Sequence, residues 1–175
     1  AIVGRSMDEI RMTQGVQHRE PFLVSGFIDE LADAASLEGR SRGIELIVTP
    51  VEEGMTILAD RQILLAVVRN LLQNAFKFTR DGTSVTLRVG ASAERVRVEI
   101  QDECGGLPAG NTTELFRPFE QRGADRTGVG LGLAFSRWGA EANNGRVYAR
   151  NLPDRGCIFT LDMPRVATSS VVISH

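Results

Sequence analysis

The chain has 175 residues, 42% of them hydrophobic, and Lys+Arg 20 against Asp+Glu 22 gives a formal net charge of -2. That length suits one domain with a substantial core, and the charge balance excludes the broad basic field that nucleic-acid binding needs, so anion recognition must be local. Cys104 and Cys157 stand far apart without a CxxC pair or a neighbouring histidine, which speaks against a zinc site and a disulfide framework and makes a reducing cytosol the default. No run approaches the roughly 18 apolar residues of a membrane span, and the start lacks a charged-then-apolar signal pattern. A soluble, cytoplasmic segment without membrane contact is expected, within a parent protein free to be membrane-anchored.

Ile2, Val3, Met7, Ile10 and Gln14 recur at helical spacing before Gly15, so residues 1–17 read as the tail of a helix, and 18–165 as the domain proper. From Pro21 to Ser25 an extended stretch gives way to Phe27, Ile28, Leu31, Ala32 and Ala35, a helical pattern with Ser25 as its expected N-cap. Gly39 to Gly43 ends that helix. Residues 44–48 and 55–59 read as strands around the loop Pro50 to Gly54, and Asp60 caps a helix over 61–79. Residues 85–89 and 96–100 alternate as an antiparallel hairpin turning near Ser92 to Glu94. The stretch 102–130 is a long loop with one turn of helix at Glu114 to Phe116, and a loop of that length in a compact domain is usually functional. A helix over 131–142, a strand at 146–149 and a strand at 157–161 follow, with 166–175 a frayed tail. The order implies an α/β sandwich, with about three helices on one face of a mixed, largely antiparallel sheet.

Asn70, Asn74 and Lys77 stand at i, i+4 and i+7 of an otherwise mostly apolar helix, so two amides and an ammonium share one face. A polar stripe on a buried helix is costly unless occupied, and these groups suit a phosphate and its metal. By themselves they suit equally well two loop caps and a solvent-facing cation at a helix end. The cluster Gly128-Val129-Gly130-Leu131-Gly132-Leu133 opens a helix after the long loop, where freed N–H groups without obstructing side chains cradle an anion. No strand runs into it, so it is not a dinucleotide fingerprint, and Val129 and Gly130 stand where a P-loop needs Lys and Ser/Thr. Asp102 closes a strand and is followed by Gly105 and Gly106: a carboxylate placed to accept from a ligand amino group, or an acceptor in a polar turn.

NLLQNAFKFT at 70–79, DECGGLP at 102–108, LFRPFEQ at 115–121, GVGLGL at 128–133 and GCIFT at 156–160 resemble, in order, the N, G1, F, G2 and G3 boxes of the histidine-kinase ATPase domain. The resemblance covers about residues 20–164 and implies the Bergerat ATP-binding fold, shared with gyrase, chaperone and mismatch-repair ATPases. It implies that Asn74 binds the magnesium of Mg-ATP with Asn70 assisting, that Lys77 neutralises phosphate, and that Phe78 lines the site. Asp102 would take the adenine amino group, with Gly106 and Leu107 beside the base and Thr160 at the adenine end. Gly128, Gly130 and Gly132 would cradle phosphates, with Val129 between them and Leu131 and Leu133 packed beneath. Phe116 and Phe119 would latch a lid over ATP, near Arg122 and Arg126. The first glycine of the G1 box is Cys104 here, a strained choice if that position requires positive φ, and a thiol near the nucleotide or a tolerated small residue.

The resemblance also implies a sensor kinase in a two-component phosphorelay, whose partners are a histidine-bearing dimerisation domain and a response regulator receiver domain. His18, in a segment superficially like an acceptor box, lies just before the first strand, whereas the family places its acceptor on a helix well upstream. The chain is expected to lack that acceptor, to carry in 1–17 a remnant of the second dimerisation helix, and to be a monomer. A degenerate or regulatory ATP-binding module, an anti-sigma-type serine kinase and a mechanical ATPase are the alternatives. The last expects a catalytic glutamate near Asn70, where Gln73 stands instead.

Overall fold

A computed structural model describes residues 18–107, 112–117 and 131–167. The chain enters through β1 (Glu20–Leu23), which pairs antiparallel with β3 (Thr56–Ala59), and passes into helix α1 (Val24–Ser41). Ser25 does not cap α1: Leu23 occupies the cap position without a side-chain hydrogen bond. The Val24 N–H donates instead to the Met55 carbonyl at 2.9 Å, so strand pairing satisfies a helix-end donor that a side chain usually satisfies. Phe27, Ile28, Leu31 and Ala35 form the buried stripe of α1. Gly43, at φ +71°, turns the chain into β2 (Glu45–Val48).

Although β2 and β3 are neighbours in sequence, they lie in different sheets. β2 runs parallel to β4 (Ser84–Ala91), at the edge of a five-stranded sheet completed by β5 (Arg95–Gln101), β7 (Gly156–Pro164) and β6 (Arg146–Leu152) in the order β2-β4-β5-β7-β6. The other pairings are antiparallel. With α1, α2 (Arg61–Phe78) and α3 (Gly132–Ala142), this is the expected α/β sandwich of mixed sheet and three helices.

Asp60 begins α2 as expected, its carboxylate accepting from the Ile63 N–H at 3.2 Å. The apolar positions of α2 are buried: Ile63, Leu64, Val67, Val68, Leu71, Leu72, Ala75 and Phe76 join one core with Val85, Leu87, Val98, Ile100, Phe159 and Leu161 of the sheet. α3 lies against α2 through Gly139, where a Cβ would come within 2.6 Å of Val67 Cγ2 and 3.0 Å of Ile63 Cγ2. Asn143, just past α3, accepts from the Asp60 N–H at 2.8 Å and donates to the Gly139 carbonyl at 2.8 Å. The start of α2 and the end of α3 are thereby tied by one buried amide.

The far face of the sheet carries a buried carboxylate. Asp162 on β7 is fully covered and pairs with Arg95 at 2.7 Å, Arg97 at 3.4 Å and Arg146 at 3.4 Å. Burial by itself pushes this carboxyl up; the Arg95 hydrogen bond and the charges of Arg95, Arg97 and Arg146 outweigh it and hold the group below its ordinary range.

Candidate nucleotide site

The site forms where the C-terminal half of α2, the loop after β5, the β6–β7 turn and the start of α3 meet. Asn70, Asn74, Lys77 and Phe78 are all half-buried on α2. Asn74 Nδ2 is buried with no hydrogen-bond partner, a condition that costs about 1–3 kcal/mol in a finished core. An amide can present either its nitrogen or its oxygen by a half-turn of its terminal bond. The unsatisfied end of Asn74 therefore fits a phosphate oxygen in one orientation and a hard cation in the other. One turn on, the Lys77 ammonium lies 5.3 Å from the centroid of the Phe78 ring, a cation–π distance that sets this positive charge at the end of the stripe.

Glu103 fixes that end of α2 against the next loop. Its N–H donates to the Thr79 hydroxyl at 3.0 Å, its carbonyl accepts from the Arg80 N–H at 3.2 Å, and its carboxylate accepts from the Ser84 N–H at 3.0 Å. Sequence reasoning missed Glu103, because its work is positional and no box pattern marks it. A Thr just past a helix and an acidic residue just past a strand were the available signals.

Asp102 is 1% exposed. Its Oδ1 accepts from the Cys104 N–H at 3.2 Å and the Cys157 N–H at 3.1 Å, and its Oδ2 faces the Cys157 thiol at 3.3 Å. Main-chain donors thus hold one carboxylate oxygen in place, and the Cys157 thiol donates to the other. Gly105 and Gly106 adopt φ +89° and +110°. Cys104 does not share this left-handed geometry, so the strain anticipated at that position is absent; the turn is made one residue later, on glycine. The loop is stitched to the β6–β7 hairpin by Gly105 N–H to the Arg155 carbonyl at 3.0 Å and Leu107 N–H to Asn151 Oδ1 at 2.8 Å. A Cβ on Gly106 would stand 3.3 Å from Asn151 Oδ1.

Strand alternation separates Thr160 from this corner. Cys157, Phe159 and Leu161 join the core on the helix face with Ile100. Thr160 pairs with Glu99 and Tyr148 and points, like Asp162, to the opposite face. Cys157 is the β7 residue that touches Asp102, and the alternation around Phe159 was the signal that could have shown it. Phe116 is buried, edge-on to Phe159 at 6.0 Å between centroids, which is core packing. Leu131 precedes α3, and Gly132 and Leu133 open it, with Leu131 and Leu133 packed as half-buried residues and Gly132 exposed. Phe119, Arg122, Arg126, Gly128, Val129 and Gly130 lie outside the described residues, as do residues 1–17 and His175. Among the described residues, no helix is long and apolar enough to cross a membrane.

A carboxylate beside permissive backbone, an unsatisfied amide with an ammonium one turn away, and a glycine-led helix are the groups that the described residues offer to a ligand. The family model of histidine kinase-, DNA gyrase B- and HSP90-like ATPases matches residues 59–167. The chain is 34% identical over 155 residues to the sensor protein TorS of Escherichia coli, covering 87% of this chain and 17% of TorS. It is 30% identical over 172 residues to the sensor protein KdpD of Mycobacterium tuberculosis, covering 93% of this chain and 20% of KdpD. It thus spans about a fifth of the length of these relatives. Full-length ShkA in complex with AMPPNP superimposes with a TM-score of 0.75 at 27% identity, covering 90% of this chain and 34% of ShkA. The catalytic domain of the histidine kinase ThkA, at 23% identity, shares the fold with a TM-score of 0.75 over 85% of this chain and 98% of ThkA's. This chain belongs to the histidine kinase-like ATPase family, as a histidine-kinase catalytic, ATP-binding domain.

Proposed function

We propose that this domain holds magnesium-ATP and presents its γ-phosphoryl to a histidine on a separate dimerisation domain of a two-component sensor kinase. The observation that carries this reading is the buried Asn74 amide nitrogen on the α2 stripe, which has no hydrogen-bond partner among the described residues. It is a polar group left incomplete by the protein and completed by a phosphate and its metal. Magnesium, when bound, neutralises the triphosphate and orients it for in-line transfer.

The residues of the chain divide the remaining work. Asn74, with Asn70 one turn before it, holds the metal and its water. Lys77 balances phosphate charge, and Phe78 limits where its ammonium can lie. Asp102 Oδ2 accepts from the exocyclic amino group of adenine, a group that guanine lacks at that position. Gly106 and Leu107 border the base. Gly128, Gly130 and Gly132 offer main-chain N–H groups to the phosphates, with Val129, Leu131 and Leu133 supporting that turn and Phe119 closing the lid. Thr160, expected at the adenine end, lies on the far face from Asp102, and Cys157 is the β7 side chain beside the carboxylate.

α2 itself carries no glutamate next to Asn70 and Asn74 to activate water, which favours transfer to an imidazole over hydrolysis. The histidine belongs to another domain, and a response regulator receiver domain is the onward acceptor. ThkA, of the same fold, has been crystallised with its response regulator TrrA. The test is to incubate the chain with γ-labelled ATP, alone and with an added histidine-bearing dimerisation domain. The chain alone is expected to stay unlabelled and the added domain to take up acid-labile phosphate. Strong self-labelling, or acid-stable label on a serine, would overturn the assignment.

A further inference from the structure

The structure brings together two thiols that the sequence keeps far apart. Neither Cys104 nor Cys157 is in a disulfide, and their sulfurs and a carboxylate oxygen of Asp102 all lie within 4.8 Å of one another. Pairing of β5 with β7 sets the Gln101 end of one strand against the start of the other, and the Asp102 N–H donates to the Cys157 carbonyl at 3.1 Å. Cys157 and Asp102 are buried, while Cys104 is partly exposed. With Oδ1 held by two main-chain N–H groups, Oδ2 is the oxygen that faces the Cys157 thiol.

We propose that Asp102, Cys104 and Cys157 form a site for a thiophilic divalent cation of the zinc class, and that filling it withdraws Asp102 from adenine. Two soft sulfur donors and one oxygen match such a cation and disfavour magnesium, which takes hard oxygen ligands. Tetrahedral coordination with metal–sulfur bonds of about 2.3 Å sets donor atoms roughly 3.8 Å apart, so the cluster closes by about an ångström. Gly105 and Gly106, which follow Cys104 at positive φ, give the partly exposed thiol room to make that movement. Binding replaces one proton on each thiol by a metal–sulfur bond and releases both protons to solvent, while the carboxylate donates its charged oxygen. Water would complete the coordination, as in three-ligand zinc sites. Magnesium at Asn74 and the thiophilic ion at Asp102 then act at opposite ends of one nucleotide.

The competitive part rests on the adenine role of Asp102; metal uptake itself does not. The reduced chain is titrated with cobalt(II) without nucleotide, read by the sulfur-to-cobalt charge-transfer band and the visible bands of tetrahedral cobalt. One equivalent is expected to give both, zinc to bleach them, and Cys104→Ser, a change at the partly exposed ligand, to abolish the charge transfer to that sulfur and weaken uptake. In a second arm, equimolar zinc is expected to lower apparent ATP affinity about tenfold or more in the parent chain and to leave Cys104→Ser unaffected. Absent charge-transfer bands, unchanged bands in Cys104→Ser, or a Cys104–Cys157 disulfide in a protein whose reduced form takes up no metal would each overturn the site. Cobalt bands with ATP affinity indifferent to zinc would overturn the coupling. Cobalt bands with no ATP binding at all would uphold the site and overturn the nucleotide reading.

Discussion

Gly156 lies so close to Asp102 that a Cβ built on it would stand 1.9 Å from the Asp102 carbonyl oxygen and 3.1 Å from Oδ1. The carboxylate assigned to adenine therefore depends on a missing side chain across the strand pair. Gly156→Ala forces main chain apart, and no flexible side chain is there to yield. Destabilisation of about 2–3 kcal/mol is expected, or a fall in Tm of roughly 4–12 °C for a domain of this size. Calorimetric unfolding checks it, and an unchanged Tm would contradict the packing described here.

Gly139 has a similar role between helices. The methyl of Gly139→Ala would meet Val67 and Ile63 side chains at 2.6 and 3.0 Å, and these can shift only by opening the α2–α3 seam. A loss of about 1–2 kcal/mol is expected in denaturant unfolding. Nucleotide affinity should fall with it, because α2 carries the amides and α3 the glycine-led turn.

Asp162 predicts a pH dependence with a definite sign. Its folded carboxyl is held below the ordinary value of 3.8, so the stabilisation it contributes is complete above that value and is lost as pH falls through the lower folded value. Asp162→Asn should cost about 2 kcal/mol at neutral pH. The gap between variant and parent should narrow below about pH 4 in acid unfolding curves. A gap that widened on acidification would refute the assignment.

Asn74→Ala removes an amide whose nitrogen has no hydrogen-bond partner among the described residues, so its stability cost without ligand should be under about 1 kcal/mol. The effect is expected in the magnesium-dependent part of ATP binding, measured by titration calorimetry with and without the metal. Equal loss in both conditions would remove Asn74 from the metal.

The elements legible in the sequence were those whose determinants are local. Asp60 before an apolar-periodic run marks the start of α2, and alternation at 85–89 and 96–100 marks β4 and β5. Ser25 failed as a cap because pairing of β1 with β3 had already delivered a carbonyl to the Val24 N–H, a long-range event that local pattern does not encode. β2 and β3 read alike as strands, and only their long-range partners, β4 and β1, set them in different sheets. At the site, the stripe on α2 and the carboxylate Asp102 were legible from spacing. The Asp102–Cys157 contact was not, since its partners are 55 residues apart and meet only through the register of β5 on β7. Nor was Glu103, which joins three segments through its main chain and carboxylate.

The central claim is that Asp102 selects adenine in a magnesium-dependent nucleotide site, and a thermal-shift comparison of ATP, ADP and GTP with and without magnesium tests it most directly. A ligand at about 100 times its dissociation constant adds roughly 2.7 kcal/mol. Stabilisation by the adenine nucleotides and not by GTP is predicted, enhanced by magnesium and lost in Asp102→Asn. Equal shifts with ATP and GTP, or an Asp102→Asn variant that retains full adenine selectivity, would contradict it.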